Sequence, residues 1–138
     1  MSNGIDLIVM DHERVKDLFA SFEETGDGGY VGQILDALVA HDDAEQAALY
    51  PLAGHLLGDV SLIERMAAAH SLIKQQMDLV RSLEGPPLVT AVKQLKKLVT
   101  SHANDEETKL LPAIAEKATA AQLDGLAARI EQVKQRVG

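Results

Sequence analysis

Four apolar stripes at helical spacing run through this chain, and each carries one histidine. Ile5, Ile8, Val9, His12, Val15, Phe19 and Phe22 share one 3.6-period face. Ile34, Ala37, Leu38, His41, Glu45, Ala48 and Leu52 form a second, and Ile63, Met66, Ala67, His70, Ile73 and Met77 a third. Leu95, Leu98, Val99, His102, Glu106 and Leu110 form a fourth. The stripes are separated by "TGDGG" (25–29), "GD" (58–59) and "EGPP" (84–87), all of them breakers of helical pattern. No period-2 segment of useful length occurs, so the fold class expected is all-α. Helices of about 20–30 residues with short connections predict an up-down-up-down four-helix bundle over about 5–117. A short C-terminal helix is expected from about 120 to 137, with Leu123, Leu126, Ile130, Val133 and Val137 as its apolar side, packed on the bundle or on a partner chain. One domain over 1–138 follows from the length.

Four of the five histidines, those on the stripes, occur at 12, 41, 70 and 102, so the chain spaces them by 29, 29 and 32 residues. His12 lies 12 residues before Glu24 and His41 lies 11 after Tyr30; His70 lies 14 before Glu84 and His102 lies 14 after Leu88. In antiparallel neighbours of equal rise, matched distances from a turn set side chains at one height. The third step fits less well: His41 is 17 residues before Gly58, while His70 is 11 after Asp59. Two of the helices also repeat a frame, "HDDAEQAALYP" (41–51) and "HANDEETKLLP" (102–112). In each, His and Glu stand four apart on one helix face, and a proline follows the Glu by six. Pro51 and Pro112 lack an N–H and are expected to kink or end their helices.

A lone core histidine is usually just hydrogen-bonded, and a lone core glutamate often reaches water at an edge. Four imidazoles and two carboxylates in one layer cannot all be accommodated that way. Buried carboxylates without partners are costly, and four imidazoles cannot satisfy one another. A metal centre satisfies the set. The chain has no cysteine, which removes thiolate sites and thiolate catalysis, and six N/O donors exceed what a tetrahedral zinc site uses. Imidazole with carboxylate suits iron, with zinc, manganese or nickel as alternatives. Two carboxylates among four imidazoles suggest two metals bridged by both. The Glu-x-x-His pairs of ferritin-like di-iron proteins are absent, as is H-E-x-x-H.

The order H…HxxxE…H…HxxxE, with "LYP" and "LLP" after the two glutamates, resembles the hemerythrin-like HHE cation-binding domains. The resemblance covers His12 to Pro112. It implies a left-handed four-helix bundle around an oxo- or hydroxo-bridged non-haem di-iron centre. His12, His41, His70 and His102 map onto its terminal ligands, and Glu45 and Glu106 onto its bridging carboxylates. The dioxygen carriers of the family look like H…HxxxE…HxxxH…HxxxxD, whereas four after His70 this chain has Lys74. With one imidazole fewer, two coordination positions stay open where a carrier leaves one. That favours chemistry on a bound small oxidant over simple dioxygen carriage.

Lys74, read as still on the core stripe, is either a snorkelling lysine or a proton donor behind the metal ligands. Tyr50 is the one phenol near the centre. On a straight helix it stands about 140° round from Glu45, but Pro51 follows it and can distort the turn; Tyr50 is a candidate iron ligand or a group behind the ligands. Glu107 could replace Glu106 or stand behind the ligands, and the repeat with Glu45 favours Glu106 as the ligand. Asp42 could stand behind the ligands but reads as solvated, and His55, about 21 Å along the helix from His41, as a surface histidine.

Three functions are compatible with this site. The first is an enzyme-like di-iron protein processing peroxide, dioxygen or nitric oxide, with catalase-like turnover the most concrete form and a role in oxidative stress. The second is an oxygen-binding, nitric oxide-binding or iron-binding sensor without turnover. The third is a structural module that is empty or holds zinc. The formal net charge of −8 gives no electrostatic footprint for nucleic acid or anionic membrane. No stretch approaches the roughly 20 apolar residues of a membrane helix, and "MSNGIDLIVMDHERV" lacks a signal-peptide pattern. A cytoplasmic protein is expected, as a monomer or weak homo-oligomer.

Overall fold

The computed structural model describes residues 2–137; the side chain of Val137 lies outside the described ones. Seven α-helices follow one another: α1 Gly4–Thr25, α2 Gly29–Ala44, α3 Tyr50–Leu57, α4 Val60–Ser82, α5 Gly85–Asp105, α6 Leu111–Lys117 and α7 Ala120–Val137. A π-helical turn, Glu45–Leu49, joins α2 to α3 without a break, and a second, Glu106–Leu110, joins α5 to α6. The bundle therefore has four long rods, and all three expected breakers fall at the junctions between them, Gly85, Pro86 and Pro87 forming the first turn of α5. No strand occurs among the described residues.

Helix ends follow local chemistry. Asn3 and Asp6 form a reciprocal capping box at the start of α1. Gly26 and Gly58 end α1 and α3 in the left-handed region, at φ 66° and 64°, where a side chain would be strained. Asp59 caps α4 through Leu62 N–H at 3.0 Å, and Thr119 with Gln122 caps α7.

The core is divided in two. One apolar cluster holds Val15, Phe19, Phe22, Ile34, Leu38, Ile73, Met77 and Leu95. The other holds Ile8, Leu49, Tyr50, Met66, Leu110, Ile114, Leu126 and Ile130. Along the chain the four histidines fall between members of the two clusters, so a polar layer separates them. Of the two expected placements, helix α7 takes the one on the bundle, packing into the second cluster. Its Leu126, Ala127, Ile130 and Val133 are buried. Leu126 lies so close to Gly4 that a Cβ there would come within 2.3 Å of its side chain. Gly4→Ala is therefore expected to destabilise the fold by about 1–3 kcal/mol through overpacking, read as a lower midpoint in chemical denaturation.

The π turns shift the apolar phase. Leu52 was expected on the core face by α-helical counting from Glu45. Instead Leu49, Tyr50 and Ala53 are buried and Leu52 is only partly so. Tyr50 N–H bonds to the Glu45 carbonyl, five residues back, which takes one extra residue into the turn. Leu111 bonds to Glu106 in the same way. In each case the next residue is proline, which cannot supply the α-helical bond to Ala47 or Thr108. The prolines thus follow a widened turn and begin the next helix rather than end the rod.

Candidate metal centre

Six buried side chains converge on the layer between the two clusters. Glu45 and Glu106 have no exposure at all, and His12, His41, His70 and His102 are 5–8% exposed. Two groups of four donors form, His12–His41–Glu45–Glu106 and Glu45–His70–His102–Glu106, each with its donor atoms within 4.8 Å of one another.

The two carboxylates belong to both groups, and each divides its oxygens between them. Glu45 Oε2 lies 3.2 Å from His41 Nε2, while Oε1 lies 2.8 Å from His70 Nε2 and 3.6 Å from His102 Nε2. Glu106 Oε1 lies 3.1 Å from His12 Nε2, while Oε2 lies 3.3 Å from His102 Nε2. The imidazoles pair edge to face, His12 with His41 at 4.9 Å between centroids and His70 with His102 at 4.5 Å. Those are the two pairs whose distances from their turns match. The ill-fitting step has its cause here too, since His70 stands level with Glu45 rather than with His41.

The Tyr50 hydroxyl sits inside the second group, 2.6 Å from His70 Nε2 and 3.4 Å from His102 Nε2. It donates to Glu106 Oε2 at 2.7 Å. The π turn brings it there: with an extra residue in the turn, the side chain five after Glu45 returns to the site face instead of pointing 140° away. In the other rod the same place is taken by Leu111, buried in the apolar cluster.

The outer nitrogens carry a second pattern. His12 Nδ1 donates to Glu107 at 2.8 Å, His41 Nδ1 to Asp11 at 2.9 Å, and His70 Nδ1 to Asp42. Such carboxylates fix the tautomer and turn Nε2 inward as a donor to metal. Each is the chain neighbour of a site residue on an adjacent rod: Asp11 precedes His12, Asp42 follows His41, and Glu107 follows Glu106. The missing link fits the rule. His70 is flanked by Ala69 and Ser71, and the imidazole it would serve, His102, has a buried Nδ1 without a partner. Lysines hold two of the carboxylates, Lys134 on Asp11 and Lys74 on Asp42, the latter at 3.1 Å.

At three residues the geometry selects between the alternatives. Asp42 is not simply solvated but orients His70. Lys74 is not in a dry pocket: its side chain is 60% exposed and its ammonium meets Asp42, outside the ligand layer. Glu107 lies behind His12 and not between the imidazole pairs. Asp11 was missed altogether, its one signal being an acid next to a site histidine. His55 is exposed near the end of α3, as expected.

A metal fits these residues. His41 Nε2 and Glu45 Oε2 are buried 3.2 Å apart, yet neither has a hydrogen-bond partner. A cation between them satisfies both. In the metal-free chain, burial lowers the His41 pKa, but the Glu45 charge and the bond to Asp11 outweigh it and push it up to about 10. Burial is likewise outweighed at His102, held at about 9 by Glu106 and Glu45. Burial raises the Glu45 pKa, but the His41 charge overcomes it and holds the carboxyl well below its usual range. Burial and the two carboxylates raise the Tyr50 phenol, keeping it protonated. Loading a cation must expel the imidazole protons, so affinity should rise with pH by about tenfold per unit for each proton released. Titration with metal at pH 6 and 8 in weak buffer checks this, with acidification expected on loading. Asp11→Ala and Asp42→Ala should each weaken metal binding about 10–100-fold, measured by competition with a chelator.

Fold and site together define an all-helical bundle built round a candidate cation-binding centre. The model of the Hemerythrin HHE cation binding domain matches residues 3–114, and the chain belongs to that cation-binding family. It is 28% identical to a Nostoc sp. protein named DNA nickase, over 96% of this chain and 39% of that protein, so it spans well under half of that relative's length. In structure it is similar to a hemerythrin HHE cation binding domain-containing protein from Mycobacterium kansasii, with a TM-score of 0.84 at 24% identity, over 99% of this chain and 90% of the other. That likeness establishes the fold.

Proposed function

We propose that this chain is a non-haem di-iron protein that binds and processes a small oxidant (peroxide, dioxygen or nitric oxide), with catalase-like turnover of hydrogen peroxide as its reaction. The carrying observation is that each buried carboxylate offers one oxygen to each imidazole pair, the arrangement two bridged cations require. His12, His41, Glu45 Oε2 and Glu106 Oε1 would hold one iron. His70, His102, Glu45 Oε1 and Glu106 Oε2 would hold the other, with the Tyr50 hydroxyl beside them and with zinc or manganese as substitutes in the same donors. Iron supplies the redox chemistry when bound.

The chain's own residues do the rest. Tyr50 holds a proton on its hydroxyl, directed at Glu106, and serves as the proton donor. Asp11, Asp42 and Glu107 keep three imidazoles turned inward. The two apolar clusters keep bulk water from the layer above and below. We further propose one domain over 1–138, acting in the cytoplasm as a monomer or weak homo-oligomer. Among the described residues no helix is long and apolar enough to cross a membrane. A net charge of −8 opposes contact with DNA, so a nicking activity is not carried over from the Nostoc relative.

Metal analysis and an absorption spectrum of freshly purified protein test the reading, followed by oxygen evolution from peroxide. Two irons per chain and evolved oxygen are expected; protein without redox metal sinks it. A second reading, a sensor without turnover, draws on the Nostoc relative, where the matched region is a minor part of a longer chain. Reversible spectral change with nitric oxide or dioxygen, and no turnover, would favour that reading.

A further inference from the structure

A cavity of about 320 Å3 opens beside the site and has all four imidazoles in its wall. It equals the share of roughly ten waters at about 30 Å3 each, several times what hydrogen peroxide, dioxygen or nitric oxide fills. The rest of its inner wall is apolar, from Leu38, Ile73, Met77 and Val99 among others. Its charged groups include Asp42, Asp43, Lys74, Asp78 and Arg81. Both cations are already held, Lys74 by Asp42 at 3.1 Å and Arg81 by Asp78 at 2.9 Å. Asp43 leaves a negative surplus, so the cavity offers no free cation to an anionic ligand. Apolar walls, a donor-rich floor and an acidic surround select a neutral molecule with an apolar body and one small polar end.

We infer that this cavity binds the organic part of a neutral organic hydroperoxide, with the peroxy end turned to the imidazoles. The assignment rests on the peroxide reading proposed above. The reaction balances with hydrogen peroxide as the reductant. Hydrogen peroxide is oxidised to dioxygen, giving up two electrons and two protons. The O–O bond of the organic hydroperoxide breaks and takes them up, leaving the alcohol and water.

Cumene hydroperoxide is the test substrate, and cumyl alcohol its unreactive probe. Cumyl alcohol should shift the NMR methyl signals of Val39, Ile73, Met77 and Val99 in zinc-loaded protein. In iron-loaded protein, oxygen release from mixed peroxides should be matched by cumyl alcohol formed. Val99→Trp narrows the cavity from α5 and Val39→Trp from α2, both positions being partly exposed. Each should cut kcat/KM for cumene hydroperoxide at least tenfold more than kcat/KM for hydrogen peroxide, and each should weaken cumyl alcohol binding. Thermal unfolding confirms that the variants are folded. Hydrogen peroxide turnover without cumyl alcohol binding, or binding that both variants leave intact, overturns the cavity assignment alone. Cumyl alcohol binding lost in both variants, with no turnover of either peroxide, supports the cavity assignment and sinks the proposed activity.

Discussion

Glu45→Gln is expected to leave the purified chain with almost no metal at either position. The carboxylate is the shared element: Oε2 faces His41 and Oε1 faces His70. A carboxamide keeps one oxygen, now uncharged, and replaces the other by a donor that repels a cation, so one position loses its ligand and the other keeps only a neutral one. His12→Ala, by contrast, removes a donor from one group alone and should retain about one metal per chain. Bound metal at a thousandfold excess over its Kd stabilises a fold by about 4 kcal/mol. The metal-dependent rise in Tm should therefore vanish in Glu45→Gln. Glu107→Gln is the control, because Glu107 touches only the outer nitrogen of His12 and its loss should weaken loading without abolishing it. Metal analysis with thermal unfolding, with and without chelator, reads all three. Full loading of Glu45→Gln at both positions would show that the carboxylate does not bridge.

Tyr50→Phe should have the second-largest effect, and on one half of the centre. In the metal-free chain it removes the donor that meets Glu106 at 2.7 Å in a buried site, costing about 1–3 kcal/mol. In the iron-loaded chain it should perturb the absorption spectrum, because the hydroxyl touches His70 and Glu106. Oxygen evolution from peroxide should fall about 100-fold if the hydroxyl is the proton source. Two irons per chain should remain, since four donors still surround each position. An unchanged spectrum and unchanged turnover would place Tyr50 outside the chemistry.

The contrast between Tyr50 and the other site residues shows how far the chain could be read. Glu45 follows His41 by four and Glu106 follows His102 by four, a spacing that any α-helix puts on one face. Their places on the site face were legible because nothing but local geometry was needed. Tyr50 follows Glu45 by five, a spacing that an α-helix sends elsewhere. It reaches the centre through a π turn, and Pro51 was the visible hint that the turn could widen. Leu52 was misplaced for the same reason. Lys74 was open to two readings, and the structure selects the lysine that reaches water. It follows His70 by four, but the long side chain turns outward to Asp42, where water and a carboxylate solvate its charge more cheaply than the buried layer would.

The sequence by itself determined the four rods, their breaks, and the six inward donors. Each depends on periodicity or on a breaker, and both act within a few residues. Only the tertiary structure decided how those donors divide. Which carboxylate oxygen faces which imidazole pair depends on how two hairpins dock. The carboxylates behind the imidazoles depend on the same docking: Asp11 is 30 residues from His41, Asp42 is 28 from His70, and Glu107 is 95 from His12. No local pattern spans such distances. They are set when burying the two apolar clusters fixes the rods against one another, and that closure builds the polar layer between them.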